Sequence, residues 1–369
     1  MNKDAFFLLT AVAILFAMGL LMVFDTTAAE VLDRSLDRST HHALIRQILY
    51  AAVGGVLAVL VWFIGYRNIL HLSFGVLVVF TVLLVLVFVP GIGHKLNGAN
   101  RWITIFGNSF QPSEFVKFFI PIYYIHASSM AKKPIALKTF LQLLFLISIP
   151  LVLILIEPDN GTVAIILTAL VVLFILTRLK WSYWGLPLLV MAILGGVVAS
   201  QMPHVSDRIN VYLNPELDLK GKGHQPYQAK IAAGSGQLFG KGVAESLQKL
   251  DYLPEARSDY IAAIFAEEYG FVGMMGLIFL YMCIGFFGFR LAFAAQCLQG
   301  FYLISILTFL ICFQAFLNLG VVSGLLPSKG TNLPFFSHGG SSLLANFMAV
   351  CLIINAAKSS VKQHAKTTG

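Results

Sequence analysis

Apolar runs of about twenty residues, the length that crosses a bilayer as a helix, recur from one end of this chain to the other. Few folds accommodate such a pattern. The runs do not alternate residue by residue, as the short strands of a membrane barrel would. The chain is therefore predicted to be an all-α polytopic membrane protein. Composition agrees: 58% of the 369 residues are hydrophobic and 11% are charged, against about 45–50% and about 25% in soluble domains.

Ten spans are predicted, at roughly 5–24, 44–64, 69–90, 113–127, 136–156, 161–177, 183–200, 260–289, 300–325 and 341–357. Lys3 precedes the first, and no small-residue cleavage site follows it, so it is read as an uncleaved span. Ten spans bring both termini to one side. If that side is cytoplasmic, the inner segments carry Lys3, Arg67, Lys132, Lys133, Lys138, Arg178, Lys180, Arg290, Lys358, Lys362 and Lys366, with Asp4 as their only acid. This is the asymmetry of the positive-inside rule. It accounts for the net charge of +8 by topology rather than by nucleic-acid binding.

Stretches 25–43, 91–112, 157–160, 201–259 and 326–340 then lie outside. No repeat of 20–50 residues is present, so residues 1–369 are read as one membrane domain with one large extracytoplasmic loop, 201–259. Within that loop Ile209, Val211, Ile231, Leu238, Phe239 and Leu247 recur among charges and glycines, a pattern of short amphipathic helices lying on the outer face. The four cysteines lie in or beside apolar spans, which predicts small hydrophobes and no disulfide. No Cys/His spacing suggests zinc.

The chemistry is expected at the outer ends of the spans. YLPEARSDYIAAIFAEEYG (252–270) runs from polar residues straight into the eighth span, and places Asp259 at its mouth. A carboxylate there is costly unless it pairs, meets water or works on a substrate. Glu267 and Glu268 lie about two turns deeper; adjacent on a helix, they point apart, so at most one faces the same cavity. The other is expected to bond a neighbour, for which Arg46 is named. In QPSEFVK (111–117), Glu114 sits in the first turn and Lys117 one turn on, as i, i+3 neighbours. A local ion pair and a functional charge are both open readings.

In EPDNGT (157–162), Glu157 belongs to a tight turn and Asp159 stands at the mouth of the next helix. GSGQLFGKG (234–242) fails as a phosphate loop, because Ser235 and Gly242 occupy places that need Gly and Ser or Thr. It reads as a flexible loop that lets the backbone approach a ligand or the membrane. LPSKGTNLPFFSHGGSS (326–342) brings Lys329 to the last span. Glu114, Lys117, Asp159, Asp259 and Lys329 thus converge on one outward-open site for a polar, anionic substrate at the membrane surface.

Taken in order, NGANRW, QPSEFVK, EPDNGT, QAKIAAGSGQLFGKG, YLPEARSDYIAAIFAEEYG and LPSKGTNLPFFSHGGSS resemble the SEDS family, the shape, elongation, division and sporulation proteins that include FtsW and RodA. The sequence is similar to the FtsW branch at PEA, Lys329-Gly330 and GGSS, whereas AEE at 266–268 is equally at home in RodA. It departs from the family at His338, where Tyr is usual, and at Ala229, often Ser. The resemblance implies ten spans in the bacterial inner membrane and a peptidoglycan glycosyltransferase that polymerises lipid II on the extracytoplasmic face.

It implies a catalytic Asp259, and substrate-binding roles for Arg46, Arg101, Glu114, Lys117, Asp159, Lys329 and Ser341. No nucleotide is implied, since the lipid pyrophosphate already activates the donor sugar. Charge on the departing pyrophosphate would be met by Lys117, Arg101 or a divalent cation, Mg or Mn, held by acids. The implied partner is a class B penicillin-binding protein, a transpeptidase. A lipid II flippase and a non-catalytic scaffold for the transpeptidase are the alternatives.

Overall fold

The helix that follows QPS is buried almost all the way round, at 14 of its 18 residues, and the other spans pack about it. The computed structural model describes residues 2–33, 39–96, 99–105, 107–131, 135–200, 212, 223–250, 253, 256–328 and 330–367. The elements are α1 (Lys3–Asp33), α2 (His42–Ile64), α3 (Tyr66–Leu86), β1 (Gly93–Leu96), β2 (Ala99–Ile105), β3 (Asn108–Phe110), α4 (Ser113–Met130), α5 (Leu137–Ile156), α6 (Asn160–Leu176) and α7 (Trp181–Ser200). After these come α8 (His224–Ser235), α9 (Ile261–Phe293), α10 (Leu298–Val322) and α11 (Gly340–Thr367). A long helix stands at each of the ten predicted places. Among the described residues, seven of them (α1, α2, α3, α5, α9, α10 and α11) are long and apolar enough to cross a membrane.

Helix α4 is outside that set for a physical reason. It packs against α3, α5, α6, α10 and α11, so its sequence can carry Glu114 and Lys117 where a lipid-facing helix could not. Lipid-facing helices show the opposite pattern, with Phe63 80% exposed on α2 and Phe145 68% on α5. The α2–α3 joint turns at Gly65, whose φ of 80° suits a glycine. Asn355 of α11 accepts from the Tyr66 N–H at 2.9 Å and donates to the Trp62 carbonyl at 3.0 Å. Backbone groups freed by the break are thus satisfied inside the protein.

Three features differ from the sequence expectation. Within a stretch read as an outer loop, Gly93–Leu96, Ala99–Ile105 and Asn108–Phe110 form a small antiparallel sheet in the order β1-β2-β3. Second, α1 continues to Asp33, beyond the predicted end at 24. Its extra turns carry Asp25, which pairs with Lys249 at 2.8 Å, and Glu30, which pairs with Arg257 at 3.1 Å. They brace the large outer loop. Third, α8 buries Ala229 and Ala232, while Ile231, Leu238, Phe239 and Leu247 stay exposed. Small residues let α8 lie close against α9 and α10.

The glycine-rich stretch 234–242 has a structural role. Helix α9 breaks at Gly270 (φ 66°, ψ −164°). Carbonyls of Glu267 and Glu268 there accept from the N–H groups of Lys241 and Gly242 at 2.9 and 3.2 Å. The N–H groups of Phe271 and Val272 donate to the Gln237 and Leu238 carbonyls at 2.8 and 3.1 Å. These groups of the loop backbone complete a broken helix. A Cβ on Gly270 would lie 2.3 Å from the Gly240 nitrogen, whereas one on Gly276 meets nothing within 4 Å. Gly270→Ala is expected to cost about 2–4 kcal/mol, combining backbone strain and overlap, and to lower Tm in detergent well beyond Gly276→Ala. Equal Tm values for the two variants would contradict this docking.

Candidate active site

A cavity of about 680 Å³ opens at the end of the bundle where α2, α4, α6, α9 and α11 begin. Lys117 lies in its wall, 1% exposed. Its Nζ is 2.5 Å from Glu114 Oε2 and 2.6 Å from Gln314 Oε1. Gln314 in turn donates from Nε2 to the Asn332 carbonyl at 2.8 Å. One turn along α10, Asn318 donates from Nδ2 to the carbonyls of Asp259 and Thr331, at 2.8 and 2.6 Å. The i, i+4 pair on α10 thereby connects the α4 ion pair, the Asp259 backbone and the 331–332 segment.

The segment bearing Asp259 is held from its other side as well. Ser337 Oγ donates to the Ser258 carbonyl at 2.6 Å, and the His338 N–H donates to the Arg257 carbonyl at 3.0 Å. A Cβ on Gly330 would stand 2.9 Å from Asp259 Oδ2, so glycine leaves room for the carboxylate. Gly340 is similarly constrained, since its Cβ would meet the Tyr50 ring at 2.7 Å. Non-helical backbone between α10 and α11 borders the cavity, which is where such backbone is tolerated at membrane depth.

Asp159 caps α6. Oδ1 accepts from the Thr162 N–H at 3.3 Å, and Oδ2 accepts from Thr162 Oγ1 at 2.8 Å and Gln111 Nε2 at 3.3 Å. Arg101 NH1 lies 3.8 Å from Asp159 Oδ1, while Nε and NH2 donate to the Glu157 and Pro158 carbonyls at 3.0 and 2.5 Å. The Gln111 N–H donates to Ser341 Oγ at 2.8 Å. Glu157, read as a plain turn residue, is fully buried with neither carboxylate oxygen bonded. Burial, with the Asp159 charge beside it, pushes its carboxyl up to about 8.

Of the residues singled out in the sequence, Arg46, Arg101, Glu114, Lys117, Asp159, Asp259 and Ser341 line this one cavity. Lys329 lies outside the described residues. The pairing of Arg46 with Glu267 or Glu268 is not formed. Glu267 bonds Lys241 at 2.6 Å and Ser246 Oγ at 2.5 Å, and Glu268 bonds Lys249 at 2.6 Å. Both acids face the 241–249 loop, because the break at Gly270 draws that loop against them, and neither lines the cavity. Gln314, Arg257 and Asn332 also line it, and Asn318 holds the Asp259 and Thr331 backbone beside it. Gln314 and Asn318 were visible as polar residues one turn apart in an apolar span, a signal that attention to charge alone passes over.

Among the described residues, no three acids, histidines or cysteines converge as metal ligands. Glu114 and Asp159 are already bonded to protein partners.

The Cell cycle protein family model covering FtsW, RodA and SpoVE matches residues 6–362. The chain belongs to this family. It is 38% identical to the probable peptidoglycan glycosyltransferase FtsW of Alcanivorax borkumensis, over 93% of this chain and 91% of the relative. It is 34% identical to stage V sporulation protein E of Bacillus subtilis, over 94% of each. Its fold matches a chain solved in work on structural coordination of polymerization and crosslinking by a peptidoglycan synthase complex, with a TM-score of 0.77 and 26% identity over 96% and 97% of the two chains. Thermus thermophilus RodA matches with a TM-score of 0.69 and 25% identity, over 96% of each. This FtsW-like family member is a multi-pass membrane protein.

A buried cation that loses its counter-charge is strongly destabilising. Glu114→Gln is expected to cost about 3–5 kcal/mol, with much of it recovered when Lys117→Met is added. Unfolding midpoints of the two singles and the double check this. Additive losses would contradict a coupled pair.

Proposed function

We propose that this chain is a peptidoglycan glycosyltransferase, polymerising lipid II on the outer face of the bacterial cell membrane, in the division role that FtsW-like similarity favours over RodA-like elongation. The carrying observation is the Asp259 carboxylate on the wall of a polar cavity shared with Lys117 and Arg46. The lining holds four cationic side chains, Arg46, Arg101, Lys117 and Arg257, against three carboxylates, Glu114, Asp159 and Asp259. That balance suits an anionic pyrophosphate. The positive-inside asymmetry supports an extracytoplasmic mouth.

In this mechanism Asp259 takes the proton from the acceptor sugar hydroxyl as general base. The acceptor oxygen bonds the anomeric carbon of the donor, on the face opposite the pyrophosphate. The carbon–oxygen bond to pyrophosphate breaks, the lipid pyrophosphate leaves with the electron pair, and configuration inverts. Arg46 is the exposed cation at the mouth. Lys117 lies deeper, with Glu114 and Gln314 fixing its position so that its charge is already oriented when negative charge develops. Arg101 and Asp159 shape the wall, since each is committed to the 157–162 turn. No nucleotide takes part. A class B penicillin-binding protein that cross-links the strands is the proposed partner, in keeping with the synthase complex among the structural matches.

Purified protein, alone or with that transpeptidase, is expected to convert lipid II into glycan strands without nucleotide. Asp259→Asn keeps the side-chain shape but removes the base, so its rate is expected to fall by about 10²–10⁴-fold with Tm unchanged. A flippase would move lipid II across vesicles and polymerise none. Full polymerisation by the Asn variant would remove Asp259 from the mechanism.

A further inference from the structure

A second cavity, of about 950 Å³, lies at the opposite end of the bundle. It is bounded by the last turns of α4 at Ser129, by the α6–α7 turn with Arg178 and Lys180, and by the first turns of α10 at Leu298 and Tyr302. From Glu114 to Ser128 along α4 is roughly 20 Å at about 1.5 Å per residue, so this cavity is remote from Asp259 and has no part in the proposed reaction.

Three observations say what it takes. Its charge is positive: neither Arg178 nor Lys180 pairs with an acid among the described residues, and the inner segments offer only Asp4, which faces Arg290 at 3.5 Å. Both side chains are exposed, open to an anion from outside the chain. Arg178 is also held at φ 51°, a conformation a non-glycine residue adopts at a cost; Thr177 and Arg178 donate to the Leu173 and Ile175 carbonyls at 2.8 and 3.0 Å and keep the turn in place.

The walls are polar only in part. Gln299 Nε2 donates to Ser129 Oγ at 2.7 Å, joining α10 to α4 on one side, and Tyr124 and Thr177 bond through their hydroxyls at 3.0 Å. Apolar Leu176, Leu179 and Phe301 complete the lining. Leu298 in the lining is 60% exposed, and Ile175, next in the chain to the lining residue Leu176, is 59% exposed.

The level in the membrane fits as well. Trp181, at the start of α7 beside the cavity, is 65% exposed and packs edge-on against Trp184. Indole rings in this position mark the headgroup layer.

We propose that this inner-end cavity binds an anionic phospholipid, with its phosphate between Arg178 and Lys180 and its acyl chains along Leu298 and Ile175. A soluble anion would use the two cations but not the apolar walls. Basic pockets between spans on the cytoplasmic side bind anionic headgroups by this combination of charge and grease.

The test uses the full-length protein in phosphatidylcholine nanodiscs containing a minor fraction of phosphatidylglycerol or cardiolipin, with native mass spectrometry reading the lipid retained. Wild type is expected to retain the anionic lipid, and Arg178→Gln with Lys180→Gln to lose roughly tenfold or more of that enrichment, as two near-surface cations allow. Lys3→Gln with Lys138→Gln, which removes equal charge elsewhere on the same end, should leave it nearly intact. Glycan polymerisation in pure phosphatidylcholine should be the same in all three proteins. If the double Gln protein does not fold, Arg178→Lys with Lys180→Arg should retain the lipid. Loss in that charge-conserving variant would overturn the proposal. So would equal loss in the two charge-removal pairs, showing general surface attraction, or full displacement of the lipid by millimolar inorganic phosphate, showing a free-anion site.

Discussion

A lysine ammonium with 1% exposure inside a membrane bundle is the constraint from which the site geometry follows. Stripped of water, Lys117 would cost several kcal/mol unless its partners are close and well aimed. Glu114 supplies the counter-charge from one turn earlier on the same helix, and Gln314 supplies a carbonyl oxygen from α10. Each partner brings its own obligations. The Gln314 amide nitrogen must donate, and does so to Asn332, while Asn318 on the same face of α10 ties down Thr331 and the Asp259 backbone. One buried charge therefore fixes α4 against α10, and α10 against both irregular segments that border the cavity.

A second polar assembly performs the same service for the large outer loop. Asp25, Lys249 and Glu268 meet around one buried ammonium, and Lys241 and Ser246 satisfy Glu267. Helix α1 runs past the membrane to take part, and α9 gives up its regular ladder at Gly270 to expose the groups that bind the loop backbone. Among its described apolar residues, Leu238, Phe239, Val243 and Leu247 are exposed, Phe239 at 80%, while Leu253 is buried. Hydrogen bonds and ion pairs, together with buried Ala229, Ala232 and Leu253, hold the described part of the chain that leads to Asp259. In a low-dielectric setting such networks are strong when complete and costly when broken, which suits a scaffold that must keep a base in place.

The spans and the convergence of outer acids were legible because lipid imposes a single demand on sequence, a long apolar run, and makes every exception conspicuous. Asp259, Asp159, Glu114 and Lys117 were such exceptions, and they share one cavity. The polar amides were less visible. Gln314 and Asn318 carry no charge, and their role lies in partners 18, 13 and 59 residues away in the chain. The partners of Glu267 and Glu268 were misread because helical periodicity assumes an unbroken helix, whereas the turn at Gly270 redirects the neighbouring loop. The short sheet at 93–110 was missed for a related reason: its strands are brief, and their pairing is a tertiary choice that periodicity does not report.

The central claim is that the polar cavity at the Asp259 end receives the lipid-linked sugar substrate. Its most direct measurement places a photoreactive amino acid at Trp102, which lines that cavity, and separately at Phe301, which lines the inner-end cavity. Membranes bearing each protein are supplied with labelled lipid II and irradiated. The account predicts adducts at position 102, competed by unlabelled lipid II, and little at position 301. Comparable adducts at both positions would indicate a path through the protein, and adducts at 301 alone would contradict the account.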